Sequence, residues 1–329
     1  MNAFQIEESF PTLITPRKHF TFEKLIEEVQ NNKPIIEQLL LKNSALLFRG
    51  FPFNAPDQFS DFIKSLKLGT CVNYLLGDSP RDKIKDTVYT STETPSGFHL
   101  PLHQELSYIK KFPKHIYFYC QIAPSHRGET IIADAREVYQ SLCPEVIQCF
   151  QEKGLNYVSH YYYKDRLMMT LNRFARSHKS WMEVFETHDK SEVEDICRTN
   201  EVSFQWLPSD WIKLKQNRPA VMTHPITQDT VWFNQAHLFD FNPRLLGLLN
   251  YIGTKILYCR PSTSLHEIRF GDDSPIPRPY LYHILDVLDK KTVAYPWRQG
   301  DVMVLDNILA MHGRAPFKGK RRVLTALTI

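Results

Sequence analysis

Leu102-His-Gln-Glu-Leu-Ser-Tyr108 is the stretch from which the rest of this chain can be read. Residues two apart on an extended strand point to the same face, so His103 and Glu105 can offer an imidazole nitrogen and a carboxylate oxygen to one ion. Apolar sequence flanks the triplet, Phe98-His-Leu-Pro-Leu102 before it and Leu106-Ser-Tyr108 after it. A carboxylate in that setting is expected to be buried, and a buried charge needs a partner or a metal. About two hundred residues later His312 supplies a second imidazole. Two histidines and one carboxylate form a ligand face with open positions, which suits non-heme Fe(II). Arg322 comes ten residues after His312, far enough to cross a turn and return on a neighbouring strand. A guanidinium there matches the distal carboxylate of a bound keto acid through two parallel hydrogen bonds. Arg321 competes for the role, because strand alternation lets only one of the pair face inward.

The composition narrows the classes. The chain has 329 residues, 43% of them hydrophobic, enough to bury a sizeable core in one or two domains. A formal charge of +4 without a long like-charged block argues against nucleic acid. The one basic run, Lys318-Gly-Lys-Arg-Arg322, reads as a solvated turn apart from the clamp arginine. Six cysteines (71, 120, 143, 149, 197 and 259) are dispersed with no C-x-x-C pair, and so read as reduced thiols. No signal peptide and no apolar run of ~18 residues is visible. A cytoplasmic protein with no membrane partner is the expectation.

Along the chain, Phe22–Asn31 reads as a helix capped by Thr21, with Glu23 at the positive end of its dipole. A second helical pattern covers 35–42. A buried strand spans 44–50, and an amphipathic helix follows at 57–66. Strands are predicted at 115–123 and 129–133, then helices at 136–142 and 144–153. The segment 160–200 is polar and irregular apart from a helix near 192–199, and is a candidate lid. Strands at 220–223 and 230–234, helices at 243–252 and 279–288, and a strand pair at 301–305 and 322–329 complete the series. Pattern alone gives mixed α and β with antiparallel sheet, and many short strands interrupted by helices suit a jelly-roll.

Several stretches carry a family resemblance. They are Tyr89-Thr-Ser-Thr-Glu-Thr-Pro95, Leu102–Tyr108, Gly128-Glu-Thr-Ile-Ile-Ala-Asp134, Val231-Trp-Phe-Asn-Gln-Ala-His-Leu238, Gly300-Asp-Val-Met-Val-Leu-Asp-Asn307, Met311-His-Gly-Arg-Ala-Pro-Phe317 and Arg321-Arg-Val323. In this order they resemble the taurine dioxygenase-like (TauD/TfdA) superfamily of Fe(II)/2-oxoglutarate oxygenases. The branch they are most similar to holds the syringomycin-type aspartyl hydroxylase and other amino-acid-modifying enzymes of non-ribosomal peptide pathways. The resemblance runs from about Ala45 to Ile329.

It implies a mixed β/α fold, a double-stranded β-helix (jelly-roll, cupin-like) core with flanking helices, as a single catalytic domain over 1–329. It implies Fe(II) on His103, Glu105 and His312, with 2-oxoglutarate and O2 as cosubstrates. Of the two arginines it favours Arg322 for the keto-acid clamp, and it places Thr130 on the same cosubstrate. Related halogenases lack the carboxylate ligand, so Glu105 favours hydroxylation, desaturation or epoxidation. The implied substrate is an amino acid, free or on a peptidyl carrier protein, in specialised-metabolite (antibiotic) biosynthesis. Substrate candidates are Asn73 and Arg81 in the loop 73–81, His99, Asn234 and Gln235. His237 reads as a decoy, since a fourth protein ligand would block oxygen chemistry. Asn307 is a candidate support for the ligands. Taurine-type members hold the sulfonate with an arginine four residues past the clamp; here that place holds Ala326, which argues against a small sulfonate. A protein hydroxylase on the same fold, or a non-catalytic jelly-roll binding protein, remain the rival readings.

Overall fold

The computed structural model describes residues 3–175, 178–258 and 265–329, so Cys259 falls outside the described residues. A nine-stranded sheet forms one wall of the core. Its hydrogen-bonded order is Phe4–Glu7, Thr12–Pro16, Ala45–Phe48, Val302–Asp306, His115–Ile122, Arg322–Thr328, Val88–Thr90 and Lys83–Lys85, with Cys71–Val72 also pairing Arg322–Thr328. Alternation along Val302–Asp306 shows how the wall is used. Met303 and Leu305 enter one apolar cluster, while Val302 and Val304 enter another behind the sheet. Helices Phe22–Asn31, Lys33–Asn43 and Pro56–Leu66 supply that second cluster through Leu25, Val29, Ile36, Leu40, Phe59 and Phe62. With both faces covered, the central strands read as unbroken apolar runs. The first helix is capped as expected, Thr21 Oγ1 accepting from the Lys24 N–H at 3.2 Å.

A smaller antiparallel sheet faces the large one, in the order Val293–Ala294, Thr130–Asp134, Ala310–Arg314, Leu100–His103. Phe118 and Met303 of the large sheet share a cluster with Ile132 and Met311 of the small one. This is the jelly-roll core, and the two candidate histidine ligands lie on the small sheet.

The middle of the chain is more ordered than its sequence suggests. Leu155–Tyr161 pairs on one side with Trp211–Arg218, itself paired with Ser203–Leu207, and on the other with His266–Phe270. Helices Arg166–Ala175, Trp181–Phe185 and Lys190–Thr199 lie between these strands in sequence. Every residue of Leu155–Tyr161 is buried, including Asn156, Ser159 and His160. Polar residues on a doubly buried strand erase the two-residue period, which is why the region reads as irregular. Trp181–Phe185 opens with a capping box between Ser180 and Glu183 that the sequence reading passed over. The predicted helix at 243–252 is two helices, Pro243–Leu246 and Leu248–Tyr258, broken where Gly247 takes φ +75°. No helix among the described residues is long and apolar enough to cross a membrane.

Candidate active site

His103 ends the strand Leu100–His103 and lies directly opposite His312 in antiparallel register. The two rings are 4.5 Å apart. Close approach here depends on Gly313, where a Cβ would stand 2.4 Å from the Leu100 carbonyl oxygen and 2.9 Å from that of Pro101. Glu105 does not continue the strand as expected. It enters from the following turn, in which Leu106 has φ +55°. Asn307 fixes that turn: its Oδ1 accepts from the Glu105 N–H at 2.8 Å, and its Nδ2 donates to the carbonyls of Glu105 (2.9 Å) and Pro113 (2.8 Å). One ligand atom from each of His103, Glu105 and His312 lies within 4.8 Å of the others, and all three residues are buried. His103 Nδ1 is 2.9 Å from the Pro101 carbonyl and donates to it, which leaves the Nε2 lone pair for an ion. His312 Nε2 is 3.5 Å from Glu105 Oε2.

The protonation states suit a cation. Burial, seconded by the neighbouring His312, pushes the His103 imidazolium down to about 3, so this ring is neutral at ordinary pH. Burial alone would raise the Glu105 carboxyl, but Arg81 and the two imidazoles hold it below the usual carboxylate range. An anionic oxygen and a free imidazole lone pair converge with His312 on one point. A divalent non-heme metal with open positions fits this donor set.

Beyond the metal face lies a cationic recess. Thr130 is buried, its Oγ1 3.3 Å from Trp297 Nε1 and 3.5 Å from an Arg321 Nη2. Arg321 also donates to the Gly128 carbonyl (2.8 Å) and Ser91 Oγ (3.2 Å). Among the described residues no carboxylate pairs with it, and burial together with Arg314 pushes it down to about 10. Arg314 gives its two terminal nitrogens to the loop carbonyls of Thr94, Pro95 and Phe98, at 2.7–3.1 Å. Arg322 is exposed and does not face this recess. The arginine turned into the recess is Arg321 and not the expected Arg322, and it shares the inner face with Val323, Thr325 and Leu327. For the same reason the inward position four residues on is Thr325, opposite Phe118, while Ala326 packs toward the outer helices. From Val323 to Thr328 both faces of this strand are buried, so hydrophobic alternation could not tell which one holds the site.

On the opposite side of Glu105, Arg81 Nη2 donates to Oε2 at 2.5 Å and Tyr74 OH donates to Oε1 at 3.1 Å. The Arg81 guanidinium lies 4.1 Å over the Tyr74 ring. Of the other proposed substrate contacts, Gln235 lines the metal pocket, a cavity of about 180 Å³ that includes Phe98, Leu100, His103, Glu105 and Asp78. Asn234 does not; its amide is used on the Ala220 carbonyl (2.8 Å) and the Ala236 N–H (3.0 Å). Asn73 is exposed, accepting from Lys83 and Tyr89, and His99 is exposed on the opposite strand face from Phe98 and Leu100. His237 is a buried structural histidine, Nε2 2.8 Å from the Leu102 carbonyl. Sequence reasoning missed Tyr74 and Asp78, since a tyrosine beside apolar residues looks like core and a loop aspartate looks like surface. A second cavity of about 840 Å³ adjoins Arg81, between the loop 74–89 and residues of 162–169 and 178–188.

Three kinds of similarity accompany this geometry. Residues 6–328 match the family described as taurine catabolism dioxygenase TauD, TfdA. The chain is 34% identical over 311 residues to the dapdiamide synthesis protein DdaC of Enterobacter agglomerans, covering 93% of this chain and 88% of that one. It is 29% identical over 328 residues to a clavaminate synthase-like protein of Arabidopsis thaliana, covering 97% and 93%. Among solved structures, a putative α-ketoglutarate-dependent taurine dioxygenase from Burkholderia xenovorans superimposes with a TM-score of 0.53 at 15% identity, covering 99% of this chain and 92% of that one. The Mn(II) and N-oxalylglycine complex of AAD-2 gives 0.52 at 13% identity, covering 99% and 96%. At such identities the structures speak for the fold alone.

Proposed function

The chain belongs to the TauD/TfdA dioxygenase family, and from that premise we propose that His103, Glu105 and His312 hold Fe(II) and that Arg321 with Thr130 holds the distal carboxylate of 2-oxoglutarate. The protein is a 2-oxoglutarate-dependent dioxygenase. The convergence of three buried donor atoms within 4.8 Å carries the residue assignment. Bound there, Fe(II), 2-oxoglutarate and O2 would supply the oxidising power for the substrate.

The chain's own residues do the rest. Asn307 holds the Glu105 backbone, and the Pro101 carbonyl sets the His103 tautomer. Arg321 and Thr130 orient the cosubstrate from the far end of the recess. Leu100, Phe98, Leu238 and Phe239 line the space over the metal face and exclude water from it. Glu105 would supply a carboxylate where a halide would otherwise bind the metal, which favours hydroxylation, desaturation or epoxidation. The whole chain acts as one catalytic unit, with residues of 162–169 and 178–188 forming a wall of the substrate chamber. The likeness to DdaC supports a role in specialised-metabolite biosynthesis on an amino-acid-type substrate.

The test is anaerobic titration with Fe(II) and 2-oxoglutarate, following the visible metal-to-ligand charge-transfer band in wild type and His103→Ala. A band in the wild type alone is expected. No band in either protein would overturn the assignment.

A further inference from the structure

We propose that the turn Asp78–Arg81 is a clamp for the ammonium and carboxylate of an α-amino acid, so that the substrate binds with its own carboxylate free rather than as a thioester. The inference rests on the iron and keto-acid reading of the neighbouring site and deepens it.

Two unsatisfied groups of opposite charge carry it. Arg81 is buried, its side chain 5% exposed, and spends Nη2 on Glu105. Its Nε and Nη1 are buried with no hydrogen-bond partner. Asp78 accepts from Tyr161 OH through Oδ1, while its Oδ2 is buried and unpartnered. Such orphans are costly, and a fold that keeps both signs on one turn beside a metal site is complementary to a ligand that carries both. Tyr74 lines both the metal pocket, where Asp78 lies, and the larger chamber, where Arg81 lies.

The turn is built to hold its shape. Gly77 lets the Tyr74 ring fold onto it, since a Cβ there would stand 2.1 Å from that ring. The Leu76 N–H donates to the Val184 carbonyl at 2.9 Å, Tyr108 OH to the Leu76 carbonyl at 2.9 Å, and Lys179 Nζ to the Gly77 carbonyl at 2.9 Å. Lys179 lines the same chamber as Arg81 and feels both Asp78 and Arg81, so a carboxylate entering from the chamber meets two positive groups. A thioester or amide has no anion to offer them. An acylated amine has no ammonium for Asp78.

The test uses the anaerobic Fe(II)/2-oxoglutarate complex of the whole chain. The probes are the proteinogenic L-α-amino acids, their methyl esters, their N-acetylcysteamine thioesters and their N-acetyl derivatives. Binding is read from the shift of the charge-transfer band and, separately, from isothermal calorimetry. At least one free amino acid is expected to bind saturably, and its ester and thioester about 10–100-fold more weakly, the scale of one charge-assisted pair. Arg81→Gln should remove the preference for the free acid, with Arg81→Lys restoring part of it. Asp78→Asn should remove the preference for the free amine. Thioesters binding as well as acids, or no probe binding at millimolar concentration, would overturn the clamp. Absence of the charge-transfer band before any probe is added would instead sink the iron reading.

Discussion

Asn307 and Arg81 both bear on Glu105, from opposite sides, and they differ in how much of their bonding capacity the fold has used. Asn307 is fully spent, on the Glu105 N–H, the Glu105 carbonyl and the Pro113 carbonyl. Arg81 gives one nitrogen to the Glu105 carboxylate and keeps two buried ones without a partner. The same contrast extends to their regions. On the jelly-roll side, strand register, the Gly313 close approach and backbone carbonyls place the donors before any ligand arrives. On the loop and insert side, two side chains of opposite charge, Arg81 and Asp78, keep buried atoms without a partner. One wall holds three donor atoms in a set geometry for an ion, and the other is poised for a molecule that brings its own charges.

The largest effect is expected where the jelly-roll side meets the cosubstrate. Arg321→Gln should raise KM for 2-oxoglutarate roughly 100-fold or more, the scale of truncating a buried charge pair. Arg322→Gln, at an exposed position, should change it less than about twofold. Steady-state kinetics on both variants decides the matter, and a reversed order would restore Arg322 as the clamp. Next comes the wall that holds the three donors. Asn307→Ala should weaken Fe(II) binding by about 10–100-fold while leaving 2-oxoglutarate binding to the metal-loaded protein nearly unchanged. Equal losses of both would mean that Asn307 supports the fold generally and not the Glu105 turn.

The smallest effect concerns pH, and it puts one titrating histidine on each side. Burial holds His237, bonded to the Leu102 carbonyl, down at about 4, and His178, bonded to the His160 carbonyl in the insert, down at about 3. The unfolded chain takes up protons near pH 6.5 that these folded rings refuse. Stability is therefore full above that pH and falls as pH drops toward 4. At pH 5.5 each ring costs about 1.4 kcal/mol. His237→Gln should flatten the slope of denaturant midpoint against pH between 6.5 and 5, and an unchanged slope would remove His237 from the account. The corresponding His178 variant reports on the insert, so unequal flattening would show which wall loosens first.

Much of the metal face was legible because its signals are local. A His-x-Glu triplet in apolar surroundings and a histidine on a late strand need no tertiary information to be suspected. The sequence also exposed the outer helices, whose apolar residues recur at helical spacing, and the large sheet, whose central strands are unbroken apolar runs. The choice between Arg321 and Arg322 was hidden by that same property, since a strand buried on both faces shows no polar side. The insert sheet stayed invisible because Leu155–Tyr161 buries asparagine, serine and histidine alongside its apolar residues. In the loop 73–81, Arg81 stood out by its charge. Tyr74 and Asp78 did not, because their importance comes from which atoms remain unpaired after folding.

The facing of the last strand has a consequence for redesign. Thr325 sits at the inward position four residues past Arg321, its hydroxyl buried with no partner, while Ala326 is turned toward the packing of the outer helices. A second arginine introduced to recruit a sulfonate or phosphonate would therefore have to replace Thr325, where the neighbouring ring is that of Phe118, itself 5.2 Å from His312. Grafted one residue later, the same side chain would enter the apolar cluster that holds Phe59, Phe62 and Leu324, where burying an unpaired guanidinium would cost stability without reaching the site.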